Sequence, residues 1–215
     1  MVNNSSHDTA GSKAALFESI ADDIANLGYS IQPNALPQPL LDQLAKHVQT
    51  MPAADFKKAG IGRDSEHHLN QGVRSDEICW INGARAAEQA WLDWAEDLQG
   101  FLNQHLLLGL FSFESHFAHY APGDSYKKHC DVFRGAAGRV LSLVVYLNED
   151  WCAEDAGELV IYCDEPAKEA LKVNPGFGTV VVFLSEDFPH EVLPARRDRF
   201  SIAGWFRART ADQLY

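Results

Sequence analysis

His129-Cys130-Asp131 sets an imidazole and a carboxylate two positions apart. In an extended chain residues i and i+2 project to the same side, so both groups can converge on one cation. The pair alone is a weak signal, because nine His and seventeen Asp make about one H-x-D by chance in this chain. A third ligand has to come from elsewhere in the fold. His190 is the candidate, lying between Pro189 and a predicted strand that starts at Glu191, and Arg199 opens the next strand.

Two histidines and one carboxylate on one face of an iron leave three positions open, the arrangement expected of non-haem Fe(II) oxygenases. A 2-oxo acid fills two and dioxygen the third. The other carboxylate of a dicarboxylic oxo acid then lies deep in the fold, where an unpaired anion is costly, and the planar guanidinium of Arg199 matches it bidentately. Taken by itself, Arg199 reads as an ordinary ion-pair partner. Its place after the three ligands is what suggests more.

Elements must hold these residues. Residues 13–28 set Ala15, Leu16, Ile20, Ile24 and Leu27 at spacings of three and four, which predicts a helix. A second begins near Pro37, with Leu40, Leu41, Leu44 and Val48 on one face, and ends before Pro52. A third covers residues 84–106, with Trp91, Trp94, Leu98 and Leu102 on its buried side. After residue 112 the pattern changes to β-branched and aromatic runs at 113–121, 139–148, 157–163, 178–184, 189–194 and 199–207. The expected fold is mainly β with supporting helices, a double-stranded β-helix (jelly-roll, cupin-like) core with an N-terminal helical layer. Residues 1–12 read as a disordered start and 13–215 as one domain, with helical support over 13–110 and the jelly roll over 111–207. Between the second and third helices, residues 57–77 form a long polar stretch that reads as a lid, and its His67 and His68 as solvated loop residues.

Composition narrows the functional classes. With 46% hydrophobic and 22% charged residues the chain has an ordinary globular make-up, and no window approaches the roughly 20 apolar residues of a membrane span. The first residues have neither a basic start nor an apolar run, so the cytoplasm is the default compartment. A net charge of −12 opposes sequence-independent nucleic-acid binding, although Lys127, Lys128, Arg134, Arg139, Arg196, Arg197 and Arg199 cluster around the candidate ligands and suggest a locally positive mouth. Cys79, Cys130, Cys152 and Cys163 form no C-x-x-C pair and read as free thiols buried as small hydrophobes.

Several motifs together carry a resemblance. Tyr120-x-x-Gly123-x-x-Tyr126-x-x-His129-x-Asp131, then His190 and Arg199, resembles the prolyl 4-hydroxylase branch of the 2-oxoglutarate oxygenases. Further matches are similar to the hypoxia-inducible-factor prolyl hydroxylases: Arg74-Ser75-Asp76-Glu77-Ile78-x-Trp80-Ile81, Tyr146-Leu147-Asn148 with Trp151, Asn174-Pro175-Gly176-Phe177, Pro189-His190-Glu191-Val192-x-Pro194-Ala195, and Trp205 after Arg199. The likeness runs from about residue 74 to 206, and the short chain looks like a bacterial member. The segment between Asp131 and Tyr146 departs from the animal enzymes, which bears on target choice.

The resemblance implies Fe(II), 2-oxoglutarate and O2, with ascorbate in support, and His129, Asp131 and His190 as both metal ligands and catalytic residues. Tyr146 would share the distal carboxylate with Arg199, and Leu159 and Val192 would line the co-substrate pocket. Arg74, Asp76, Arg139 and Trp205 would lie on the substrate side, with Asp76 paired to Arg139. The implied target is a prolyl residue of a protein, with elongation factor Tu as leading partner and neither nucleic acid nor membrane involved. Two other readings remain open: an oxygenase of the same fold acting on a small molecule such as a free amino acid, and a non-enzymatic jelly-roll binding module.

Overall fold

In the computed structural model residues 5–60, 72–132, 138–163 and 170–209 are described. Three helices form, α1 (Ser5–Leu27), α2 (Gln38–Thr50) and α3 (Ala86–Leu106). The α2 and α3 stripes are buried as their spacing predicts, and Trp91 stacks on Trp94 while its indole N–H donates to Ser115 at 3.0 Å. On α1 the buried face is Leu16, Phe17, Ile20, Ala21 and Ile24, whereas Leu27 is exposed. The stripe is turned because Phe17 packs edge-on against Trp94 and Phe101. The helical backbone also begins at Ser5, inside the start read as disordered, since adding turns to a formed helix costs little compared with nucleating one.

Eleven strands are found among the described residues: β1 (Tyr29–Gln32), β2 (Lys57–Lys58), β3 (Glu77–Trp80), β4 (Leu110–Tyr120), β5 (Tyr126–His129), β6 (Arg139–Tyr146), β7 (Leu159–Ile161), β8 (Leu171–Val173), β9 (Val180–Leu184), β10 (His190–Val192) and β11 (Arg199–Ala208). They build a seven-stranded sheet in the order β1-β9-β6-β11-β4-β3-β2 and a four-stranded sheet in the order β5-β10-β7-β8. All strand pairs are antiparallel. This is the double-stranded β-helix, with the helices on the outer face of the larger sheet. No helix among the described residues is long and apolar enough to cross a membrane. His67, His68 and most of the expected lid lie outside the described residues.

Strand parity divides the hydrophobic residues into two cores. Phe117, Leu141, Leu143, Val145, Val180, Val182, Ile202 and Phe206 face the helices and join their stripes. Their alternates Ala118, Tyr120, Tyr146, Val181 and Phe183 face the small sheet and meet Leu159, Ile161, Val173 and Val192. Each fully buried Leu, Val or Phe contributes on the order of 1.5–3 kcal/mol, so slipping any of these strands by one residue would forfeit several such terms at once. The same alternation points His116, Ser142, Arg199, Ser201 and Trp205 into the space between the sheets, where they line a cavity of about 680 Å³.

Candidate active site

The ladder between β5 and β10 brings the first two candidate ligands together, because His190 is the register partner of His129. Asp131 follows two residues after His129. The His129 Nε2 lies 3.7 Å from Asp131 Oδ1, and the His190 Nε2 lies 3.6 Å from Asp131 Oδ2. These gaps are too long for good hydrogen bonds and suit atoms arranged around a common ion. Both imidazoles are oriented from behind: the Nδ1 of His129 donates to the carbonyl of Lys127 at 2.8 Å, and that of His190 to the carbonyl of Phe188 at 3.0 Å. A carbonyl can only accept, so in the neutral rings each Nε2 keeps its lone pair. This second hydrogen bond is the usual support of a metal-bound histidine.

The electrostatics favour the same state. Burial, reinforced by the facing His190, pushes His129 down to about 4. Burial would raise Asp131, but the opposing His190 and His129 charges and a hydrogen bond from Ser142 hold it below the usual carboxylate range. Near neutrality the cluster therefore presents an imidazole lone pair beside a carboxylate, which fits a divalent iron-group cation. Among the described residues it is the group of His, Cys, Asp or Glu side chains that can hold a metal. The Ser142 hydroxyl donates to Asp131 at 2.6 Å and is 2.9 Å from the Ser185 hydroxyl, so a buried serine pair orients the carboxylate. The indole N–H of Trp205 is buried without a hydrogen-bond partner among the described residues.

Arg199 sits deeper in the same cavity and is only 1% exposed. Its Nε donates to the carbonyl of Gly157 at 2.9 Å, and its guanidinium lies 5.0 Å from the ring centres of both Tyr120 and Tyr146. Gly157 is needed for this approach. Its φ is +75°, and a Cβ there would come within 2.8 Å of Ala195 Cβ and 3.3 Å of Arg199 Cδ. No carboxylate among the described residues pairs with Arg199. The Tyr146 hydroxyl is likewise buried without a hydrogen-bond partner among the described residues, and burial pushes its pKa up to about 12 although Arg199 opposes the shift. A buried cation with no carboxylate partner and a neutral buried hydroxyl with no hydrogen-bond partner among the described residues fit the far carboxylate of a dicarboxylic oxo acid. Leu159 and Val192 face each other in register across β7 and β10 and line the cavity.

The substrate-side expectations fare unevenly. Arg74, Arg139 and Trp205 line the cavity. The expected Asp76–Arg139 pair does not form. Asp76, fully buried, takes a bidentate pair from Arg74 at 2.7 and 2.9 Å, while Arg139 donates to Glu114 at 3.0 and 3.2 Å with its guanidinium 3.6 Å above the Trp205 ring. Strand order explains the correction. Asp76 leads into β3, three strand spacings from β6, or roughly 14 Å, whereas Glu114 on β4 is one strand closer and lies opposite Trp205.

The positive mouth is also modified, because Arg199 is an interior group, Arg197 pairs with Asp155, and Arg134 lies outside the described residues. Cys130 and Cys152 are exposed and Cys79 and Cys163 only partly buried, so the cysteines are not the buried hydrophobes expected. Sequence reasoning missed Ser142, Ser185, Glu114, Gly157 and His116. The available signal for His116 and Ser142 was parity: His116 shares the inward set of Ala118 and Tyr120, and Ser142 that of Tyr146.

The chain matches the 2OG-Fe(II) oxygenase superfamily over residues 115–207, the stretch that carries the candidate ligands and Arg199. The hypoxia-inducible factor prolyl hydroxylase of Caenorhabditis elegans is 26% identical over 203 residues, which cover 88% of this chain and 28% of that relative. The chain thus spans little more than a quarter of that relative's length. A prolyl hydroxylase from Trichoplax adhaerens, solved with a hypoxia inducible factor oxygen degradation domain peptide fragment, shares the fold with a TM-score of 0.80 at 22% identity, covering 95% of this chain and 94% of that one. The Pseudomonas putida prolyl-4-hydroxylase is 38% identical, with a TM-score of 0.81 and coverage of 90% of this chain and 100% of that chain. With this identity along a whole relative, added to the superfamily match over the ligand-bearing strands, the chain belongs to the Fe(II)- and 2-oxoglutarate-dependent oxygenases, in the prolyl 4-hydroxylase family.

Proposed function

We propose that this chain hydroxylates C4 of a prolyl residue in a protein substrate while 2-oxoglutarate is converted to succinate and carbon dioxide. One observation carries the reading: a single cavity holds the His129, Asp131 and His190 cluster together with Arg199, a buried cation without a carboxylate partner among the described residues. Bound Fe(II) would supply the oxidising chemistry, in which one oxygen atom of O2 enters succinate and the other enters the substrate C–H bond. His129, Asp131 and His190 would hold this metal and leave co-substrate and oxygen access to it.

Arg199 and Tyr146 take the distal carboxylate of 2-oxoglutarate, and Leu159 and Val192 keep water from its chain. Arg139, stacked on Trp205, and Arg74, locked by Asp76, form the target side of the cavity. Elongation factor Tu is the leading protein partner, which would place the reaction in the cytoplasm, and ascorbate would keep the iron reduced. The identity to the Pseudomonas prolyl-4-hydroxylase supports the prolyl target.

The test is to incubate the protein with Fe(II), 2-oxoglutarate, ascorbate and elongation factor Tu, and to map added oxygen by mass spectrometry. Succinate release together with one added oxygen on a proline supports the reading in full. Oxygen on a proline of another protein in a proteome-wide search would keep the prolyl target and remove that partner. Turnover stimulated by a free amino acid but by no polypeptide would overturn it in favour of a small-molecule oxygenase.

A further inference from the structure

His116 is a polar group that the site as described so far does not use. It lies on β4, is 2% exposed, and lines the same cavity as the metal cluster. Its ring is walled by two indoles, 5.2 Å from Trp80 and 5.5 Å from Trp205. Trp80 is itself half exposed, so Trp80, His116 and Trp205 form one aromatic wall running from the cavity toward solvent.

The proton position follows from the partners. His116 Nδ1 lies 3.2 Å from the Phe117 carbonyl, which can only accept, so Nδ1 carries the hydrogen. Burial, with Arg74 and then Arg139 adding positive charge nearby, pushes the ring down to about 3, so it is neutral near pH 7. A neutral ring with hydrogen on Nδ1 has a bare lone pair on Nε2. No residue among those described donates to it. An acceptor on a cavity-lining ring with no donor among the described residues is available to a donor that a ligand supplies.

We infer that His116 is a specificity-determining residue whose Nε2 accepts a hydrogen bond from a backbone N–H of the substrate polypeptide next to the target proline. The inference rests on the prolyl-protein reading above and deepens it. A prolyl residue within a chain has no N–H, so it cannot supply this donor, and the bond must come from a neighbouring residue. The wall of Trp80 and Trp205 suits an extended segment whose apolar side chains lie against the indoles while its backbone turns one N–H toward His116. Free proline has no neighbouring residue, and its own ammonium N–H sits on the target ring and not at the flanking position, so a flanking contact to His116 favours polypeptide over free amino acid.

The experiment uses the iron-loaded enzyme and short acetylated, amidated peptides with one central proline and randomised flanks. Oxygen gain on the proline is read by mass spectrometry. Matched peptide sets carry a single N-methylated backbone amide at each flanking position in turn. One N-methyl position should lower the wild-type kcat/KM about tenfold, mainly through KM, and that position should have less than a twofold effect in His116→Phe. His116→Gln, which keeps an acceptor, should restore part of the discrimination.

A check independent of any variant is 15N-histidine NMR of the wild type with zinc replacing iron and 2-oxoglutarate bound. The Nε2 resonance of His116 should move upfield when the unmethylated peptides bind, and should not move with the set methylated at the sensitive position. If every methylated set behaves alike in wild type and His116→Phe, or if Nε2 does not move, the inference is wrong while prolyl hydroxylation stands. If the wild type oxidises no proline in any set, the prolyl-protein reading fails and the inference falls with it.

Discussion

His129 and His190 are direct register partners across β5 and β10, with ring centres 4.4 Å apart. A backbone ladder therefore sets the spacing of two candidate ligands, and the third follows two residues along the chain. Replacing His129, Asp131 or His190 by Ala should reduce Fe(II) binding below detection in calorimetry and abolish 2-oxoglutarate turnover. The circular dichroism spectrum should remain that of the wild type, because the two hydrophobic cores do not include the metal. Turnover surviving in all three variants would end the metal assignment.

Ser142 should matter although it touches no ligand other than Asp131. Ser142→Ala removes the 2.6 Å hydrogen bond to that carboxylate. Loss of such an outer partner typically costs 10–100-fold in metal affinity. We expect a weakening of about that size in metal titrations, with little change in the urea midpoint. Unchanged affinity would mean that β5 alone orients Asp131.

Arg199→Ala should weaken 2-oxoglutarate binding by roughly 2–5 kcal/mol and leave Fe(II) affinity nearly unchanged. Arg199→Lys keeps the charge without the planar fork and should fall between. Tyr146→Phe should give a smaller loss in the same quantity. Titration of the metal-loaded protein with 2-oxoglutarate decides the matter. Normal co-substrate binding with lost iron would make Arg199 a structural cation instead.

Gly157→Ala combines a left-handed backbone with contacts below 3 Å to Ala195. It should lower stability by about 2–4 kcal/mol in urea unfolding and weaken 2-oxoglutarate binding, since Gly157 carries the carbonyl that orients Arg199. A stable variant with wild-type affinity would show that the turn can relax.

The depressed pKa of His116 ties stability to pH. Its folded value is about 3 against 6.5 for the free side chain, so below 6.5 the unfolded chain binds the extra proton. Stability from this group is complete above about pH 6.5 and is lost as pH falls toward 3, at up to about 1.4 kcal/mol per unit. In metal-free protein His116→Gln should lose stability less steeply than wild type between these limits. Parallel urea curves at each pH would indicate that the ring charges without cost.

The longer elements were legible because their periods are. Residues 38–50 and 86–106 announce their buried faces through repeated apolar spacing, and the six β runs after residue 112 correspond to β4, β6, β7, β9, β10 and β11 with shifted ends. β1, β2, β3 and β8, of two to four residues each, are too short to show a period and exist because a neighbour offers hydrogen bonds. The convergence of His129, Asp131 and His190 and the place of Arg199 in the same cavity were readable from motif spacing together with the family resemblance. The partner of Arg139 was not, because it depends on how many strands separate two residues, which no local pattern encodes. Ser142 and His116 look like any strand residue until the inward parity is known.

The position of β11 constrains how the molecule is made. It lies between β6 and β4, pairing Arg199 with Tyr120 on one side and Ser201 with Tyr146 on the other, so both neighbours leave the ribosome before the strand that joins them. Until residues 199–208 emerge, the larger sheet is split into two halves with facing open edges. Such non-local closure is slow and leaves strands able to pair wrongly in the interval. Arg199, the cation proposed to receive the co-substrate, arrives with that same strand, so the nascent chain would gain its 2-oxoglutarate site only at the step that closes the sheet.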